Sequence, residues 1–284
     1  MTYRSETSAV PSIVLNDGQV MPKLGFGVFK VAAEEAVGTV AAALQAGYRS
    51  IDTAAVYGNE SEVGRALRES GIPRDELFVT TKLWNDNQGY DATLRAFDDS
   101  MKRLELDQLD LYLIHWPIAK SGLFVDTFRA LQSLKAQGRV TSIGVSNFTR
   151  ANLERIIEET GETPAVNQIE LHPYLAQNDL RAFHTAHGIV TEAWSPLGRG
   201  AELDDPVIGA IAGETGRTVA QVILRWHMQL GNVAIPKSVT PSRIAENFAV
   251  FDFELTDEQV SRITDLDKGS RIGPDPDTFD VGAP

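Results

Sequence analysis

Leu109-Asp110-Leu111-Tyr112-Leu113-Ile114-His115-Trp116-Pro117 is a short apolar run that stops on a histidine. The helix-period stretch Tyr90 to Leu104 precedes it, and Phe124 to Gln137 follows it. Outward in both directions the same unit recurs. Further apolar runs stand at Leu24 to Phe26, Ser50-Ile51, Phe78 to Thr80, Ser142 to Val145, Ala165 to Ile169, Ile189-Val190 and Asn232 to Ile235. Helix-period stretches separate them: Glu34 to Ala46, Glu60 to Ser70, Arg150 to Thr160, Leu180 to His187 and a longer one from Pro206 to Leu230. Pro241 to Val250 follows the last run. Gly47, Gly71, Gly138, Gly188 and Gly231 sit at or near helix ends, where a left-handed C-cap is needed. Eight strand–helix units in 284 residues predict a (β/α)8 TIM barrel, read as one domain over 1–284. A doubly wound open sheet is the competing architecture, but no Gly-x-Gly-x-x-Gly turn follows a strand.

The two ends lie outside this repeat. Ser12 to Leu15 and Gln19 to Met21 flank Asn16-Asp17-Gly18, which predicts a β-hairpin capping the barrel bottom. Lys268 to Pro284 is rich in Pro, Gly and Asp and reads as either a disordered end or a loop over the site.

Composition narrows the function. With 43% hydrophobic and 23% charged residues, a chain this long buries a large core without staples. A formal net charge of -13 argues against nucleic-acid and anionic-membrane partners, which need a basic face. An anionic cofactor then requires a local basic cluster. Cys is absent, so disulfides, a thiol nucleophile and Cys-based metal sites are excluded, and a cytoplasmic protein fits. The leading stretch MTYRSETSAVPS has no apolar core of signal-peptide length, and no membrane-length apolar run occurs. His172, His184, His187 and His227 lack paired zinc-ligand spacing, so no metal is expected; they read as surface or core histidines.

In a βα barrel, chemistry sits where strands end. Asp52 ends the second run, Lys82 the third and His115 the fourth, and Tyr57 stands on the loop after Asp52. Singly, each has an ordinary reading: a helix cap, a solvated lysine, a core histidine, a loop tyrosine. Together they form a proton donor. A lysine ammonium favours the phenolate of a nearby tyrosine and lowers its pKa, a carboxylate keeps the ammonium charged, and a neutral imidazole binds a carbonyl oxygen. Lys82 could alternatively form a Schiff base. Lys237, Ser238 and Arg243 flank the start of the last helix-period stretch, and two cations at a helix N-terminus make an anion site. Phe29, Trp84 and Trp116 follow the first, third and fourth runs and are candidates for an apolar substrate wall or for core packing.

These residues carry a resemblance. Gly47 to Glu60 (GYRSIDTAAVYGNE), Thr81-Lys82-Leu83-Trp84, Ile114-His115-Trp116-Pro117, Ile143 to Phe148 (IGVSNF) and Ile235 to Asn247 (IPKSVTPSRIAEN) resemble, in order, the motifs of the aldo-keto reductases. The similarity is nearest to the bacterial 2,5-diketo-D-gluconate reductase branch. It implies a monomeric, NADPH-dependent barrel without a Rossmann turn, which binds NADPH before the carbonyl substrate. It implies Tyr57 as proton donor, Lys82 and Asp52 as its tuning pair, and His115 as the group that orients the carbonyl. It also implies that Ser146, Asn147 and Gln168 meet the nicotinamide carboxamide and that Trp194 stacks on the ring, where many members have Tyr. By the same resemblance Ser195, Leu197 and Gly198 line the pyrophosphate, Lys237, Ser238 and Arg243 hold the 2′-phosphate, and Glu246 and Asn247 meet the adenine. Phe29 departs from the Trp common in mammalian members, and the tail from Arg271 to Phe279 is expected near the pocket. A channel-subunit-like NADPH-binding redox module is the non-enzyme alternative within the same superfamily.

Overall fold

The computed structural model describes residues 10–284; most of the leading stretch read for a signal peptide therefore lies outside the described residues. The predicted hairpin forms from β1 (Ser12–Val14) and β2 (Val20–Pro22), which pair antiparallel with Val14 opposite Val20. Gly18 takes φ 85° in the turn, a conformation that costs a residue without Cβ nothing. Leu15 and Met21 are buried against Phe78, Leu111, Val166, Val190 and Val233, which lie at or near the N-terminal ends of barrel strands. The hairpin thus plugs the bottom of the barrel.

The barrel strands are β3 (Phe26–Gly27), β4 (Ser50–Asp52), β5 (Phe78–Leu83), β6 (Leu109–Ile114), β7 (Val140–Ser146), β8 (Val166–Glu170), β9 (Val190–Trp194) and β10 (Val233–Ala234). They run parallel in sequence order from β3 to β10. A parallel bridge between Leu24 and Ala234 joins the two ends, with Gly25 N–H donating to Ala234 O at 2.9 Å and Gly27 N–H to Pro236 O at 3.1 Å. That contact closes the ring and excludes the open sheet.

The helices are α1 (Ala33–Ala46), α2 (Glu60–Glu69), α3 (Tyr90–Leu104), α4 (Phe124–Ala136), α5 (Arg150–Thr160), α6 (Asn178–His187), α7 (Pro206–Thr215), α8 (Val219–Gln229), α9 (Pro241–Phe248) and α10 (Asp257–Thr264). The stretch expected as one long helix from Pro206 to Leu230 is two. Gly216 at φ 65° stops α7, and Thr218 with Gln221 forms a capping box that starts α8. α10 was not anticipated, although Thr256 and Gln259 form the same box before it. Among the described residues no helix is long and apolar enough to cross a membrane.

Candidate active site

Four strand-end and loop residues converge at the C-terminal mouth. Asp52 is the last residue of β4, Lys82 the penultimate one of β5, and His115 follows β6 directly. Tyr57 closes a 3-10 turn (Ala55–Tyr57) that Gly58 ends at φ 68°. Asn59, fully buried, fixes that loop: its Oδ1 accepts from Thr53 Oγ1 at 2.8 Å, and its Nδ2 donates to Val28 O and Val31 O, both at 3.1 Å. The Tyr57 loop is therefore tied to the loop after β3.

Lys82 is wholly buried, and its Nζ donates to Asp52 Oδ1 at 2.5 Å and to Thr53 O at 2.9 Å. The same Nζ lies 5.2 Å from the centre of the Tyr57 ring. The Tyr57 and His115 rings are 5.7 Å apart, edge to face. Asp52 and Tyr57 hold Lys82 above the usual lysine range against the cost of burial. It is an ammonium, with no lone pair to attack a carbonyl, which disfavours Schiff-base chemistry. Burial and the Lys82 charge push His115 well below the usual histidine range, so its imidazole is neutral, as expected. For Tyr57 the outcome differs from expectation. Burial raises its pKa more than Lys82 lowers it, and Asp52 adds to the rise by offsetting the ammonium. Tyr57 is thus a protonated phenol, suited to giving a proton.

A second array lies alongside. Gln168 on β8 donates through Nε2 to Asp52 Oδ2 and to Glu192 Oε2, both at 2.8 Å. Asn147, at φ 61° after β7, donates to His115 O at 3.0 Å, and its Oδ1 accepts from Trp194 Nε1 at 2.8 Å. Ser146 Oγ lies between Asn147 Nδ2 and Gln168 O. Ser146 and Asn147 thus hold each other, His115 and the Trp194 ring in place, while the Gln168 side chain holds Asp52 and Glu192.

At the other end of the site, Lys237 and Arg243 are exposed at the start of α9, and neither forms an ion pair among the described residues. Ser238 is half-buried beside them. Ser195, Gly198, Arg199 and Gly200 all take positive φ, a winding loop of the kind that turns backbone N–H groups toward anions. Leu197 is half-buried in that loop. Asn247 is buried, and Glu246 accepts from Thr218 Oγ1 at 2.9 Å.

The family model "Aldo/keto reductase family" matches residues 23–268. The chain belongs to the aldo/keto reductase family. This reductase is 60% identical over 269 residues to an aldo-keto reductase of Mycolicibacterium smegmatis, covering 95% of this chain and 98% of the other. It is 52% identical over 274 residues to the methylglyoxal reductase DkgA of Salmonella typhimurium, covering 95% and 99%. Among solved structures, an aldo/keto reductase from Brucella melitensis superposes with TM-score 0.89 at 56% identity, covering 91% of this chain and 100% of that one. A mutant of Gox0644 in complex with NADPH gives TM-score 0.92 at 50% identity, covering 95% and 99%.

The tail of this reductase is ordered across the mouth, which resolves the choice left open by its composition. Phe279 packs on Trp116 with ring centres 4.2 Å apart and reaches Trp84 at 6.5 Å. Asn85 Nδ2 donates to Val281 O at 2.8 Å. Trp84 also lies 5.2 Å from His115, and Phe29, largely exposed, lies 5.1 Å from Tyr57. Phe29, Trp84 and Trp116 therefore all stand near Tyr57 and His115 or the tail. A cavity of about 270 Å3 between the tail and the start of α5 is lined by Arg150, Gln177, Arg271 and Asp275, and by none of Asp52, Tyr57, Lys82 and His115.

The buried acids Glu170 and Glu202 were not singled out from sequence, and His172 joins them. Glu170, at the end of β8, accepts from Ile272 N at 2.5 Å and Gly273 N at 2.8 Å. His172 bridges Glu170 Oε1 at 3.0 Å and Glu202 Oε1 at 2.5 Å. The two carboxylates raise His172 to about 9 against burial, so it is a cation. The histidine read as ordinary surface or core is the pin of the tail. Gly273 is required there: a Cβ would meet Trp194 at 2.4 Å and Glu170 at 2.8 Å.

Proposed function

We propose that this single-domain barrel reduces small aldehydes or ketones to alcohols with NADPH, with Tyr57 as the proton donor. The buried Asp52–Lys82 pair beside a protonated Tyr57 and a neutral His115 carries the reading. When bound, NADPH supplies the hydride that reaches the carbonyl carbon. The chain's residues do the rest. His115 binds and orients the carbonyl oxygen. Tyr57 gives its proton to that oxygen, and Lys82 stabilises the phenolate left behind. Asp52 keeps Lys82 charged and fixed.

The cofactor fits the donors present. Lys237 and Arg243, neither of them in an ion pair among the described residues, suit the 2′-phosphate of NADPH at the N-terminus of α9, with Ser238 between them. The loop with Ser195, Leu197 and Gly198 suits the pyrophosphate, and Glu246 and Asn247 the adenine. Trp194 offers a ring face to the nicotinamide, and Ser146, Asn147 and Gln168 border its carboxamide. Phe29, Trp84, Trp116 and Phe279 form the apolar wall of the carbonyl pocket. We place the substrate among small dicarbonyls and keto sugars, with 2,5-diketo-D-gluconate and methylglyoxal as first candidates. The similarity to a methylglyoxal reductase supports the second. A cytoplasmic location fits a chain without Cys, and the family resemblance favours a monomer.

The test is NADPH oxidation, followed by absorbance, against a panel of aldehydes, ketones and diketones, with NADH in parallel. Turnover with NADPH and little with NADH is expected. Tyr57→Phe should lower kcat by about 10²- to 10⁴-fold while NADPH affinity, read by fluorescence titration, stays unchanged. Full activity in that variant would remove Tyr57 from the role. Tight NADPH binding with no turnover on any carbonyl would favour a redox-responsive binding module instead.

A further inference from the structure

Glu192 sits in the interior of β9, two residues before its end, with no exposure to solvent. It stands in register with Gln168 on one side and Val233 on the other. The Gln168 amide nitrogen carries two hydrogens, and the structure uses both on carboxylates: Asp52 Oδ2 and Glu192 Oε2, each at 2.8 Å. Asp52 reaches from β4, on the far side of the barrel, and its other oxygen holds Lys82. The second oxygen of Glu192 is buried without a partner. The charged and titratable groups that face Glu192 are Asp52, Lys82 and Tyr57, while its strand neighbours contribute only neutral Gln168 and Val233.

Charge counting decides the state of this acid. One buried ammonium, Lys82, neutralises one carboxylate, Asp52. A second ionised carboxylate in the same dry interior would have no counter-ion, and an unpaired buried charge is strongly destabilising. We propose that Glu192 is a positioning residue of the reductase site: it stands as a neutral carboxylic acid that fixes the Gln168 amide against Asp52, and its loss of a proton slows proton donation by Tyr57. This rests on the reading of Tyr57 as the donor.

The electrostatics of the site agree with it. Burial, then the Asp52 charge, pushes Glu192 up to about 8, against the opposing pull of Gln168 and Lys82. The negative charge of an ionised Glu192 in turn raises Tyr57, making the phenol a weaker acid. The site thus carries the Glu192 ionisation in addition to those of Tyr57, Lys82 and His115. Gln168 is locked in one orientation by the same contacts: with both N–H groups committed, only its carbonyl oxygen can serve a ligand at the mouth.

The test is the pH profile of kcat for NADPH-dependent reduction of methylglyoxal by the full-length enzyme and by Glu192→Gln, each normalised to its own value near pH 7. Wild-type kcat should fall as Glu192 ionises. In Glu192→Gln the ratio of kcat at about pH 7 to that at about pH 9 should be at least about threefold smaller than in wild type, because the amide has no proton to lose. Superimposable profiles would overturn the proposal. Tyr57→Phe is assayed alongside. If that variant is active, the donor assignment itself fails; if it is inactive and the Glu192→Gln profile matches wild type, only the role of Glu192 fails. Infrared difference spectra of the wild-type protein need neither substrate nor a folded variant. A protonated-carboxyl carbonyl band present near neutral pH and lost on alkalinisation is expected, and its absence would overturn the proposal.

Discussion

Tyr57 shows how a residue can be picked out in sequence while the net direction of its pKa is not. Asp52, Lys82 and His115 are legible because each interrupts or ends an apolar run at a predictable level of a barrel. What cannot be read along the chain is the balance of terms on the phenol: burial and Asp52 outweigh Lys82. Glu192 was missed for a related reason. The apolar run at Ile189-Val190 ends before Thr191, whereas β9 continues through Glu192 to Trp194 and turns the acid inward. Alternation through Ala193 and Trp194 was the available signal. At the cofactor end the residue-scale prediction concerns Arg243. Arg243→Ala should raise KM for NADPH about tenfold and leave KM for NADH unchanged, since only the former has a 2′-phosphate to lose contact with. Steady-state kinetics with both cofactors checks it, and an equal rise for both would move the phosphate site elsewhere.

Among the elements, sequence periodicity located every barrel strand but could not see breaks made by caps. Gly216 and the Thr218–Gln221 box divide the stretch expected as one helix, and the Thr256–Gln259 box starts a helix that the periodicity did not show. The tail lacked any periodic signal because its order comes from distant partners. Glu170 receives its backbone, Trp116 receives Phe279, and Tyr174 O accepts from Lys268 N and Ser270 N at 3.1 and 3.0 Å. His172, as a cation, keeps Glu170 and Glu202 together and so joins the tail to the loop before α7. Its folded pKa of about 9 exceeds the usual histidine value, so its contribution to stability is fully present below about pH 6.5 and is lost, with the charged clamp itself, as pH rises through about 9. The facing groups are Glu170 and Glu202, with Arg271 3.8 Å from Glu170 and Lys268 over the Tyr174 ring. His172→Gln should therefore make the tail C-terminal to Lys268 cleavable by limited proteolysis at neutral pH, as alkaline pH does to the wild type. Equal resistance in both proteins at every pH would show that the tail is held without the clamp.

For the molecule as a whole, these buried groups act together on stability. Among them, Glu192, raised to about 8, and His172, raised to about 9, bind a proton more tightly folded than unfolded. Each favours the folded state at low pH and loses that contribution as pH rises, Glu192 from its ordinary value up through about 8 and His172 up through about 9. His115, His184 and His227 do the opposite. His184, lowered to about 4, and His227, lowered to about 3, are buried neutral, and the unfolded chain takes up their protons first as pH falls below about 6.5. His184 is held by Thr191 Oγ1 at 2.8 Å and Asn167 Nδ2 at 3.0 Å, and His227 by Pro196 O at 3.1 Å, so neither can move to meet solvent cheaply. The stability curve must therefore fall on both flanks, for different residues on each. Calorimetric Tm should peak between the two flanks and drop by several degrees, roughly what 1–2 kcal/mol does to a chain of this size, by about pH 9. Glu192→Gln combined with His172→Gln should flatten the alkaline flank and leave the acid flank in place. An alkaline flank as steep in the double variant as in wild type would mean that surface carboxylate repulsion in a chain of net charge -13, rather than these two buried protons, governs the loss.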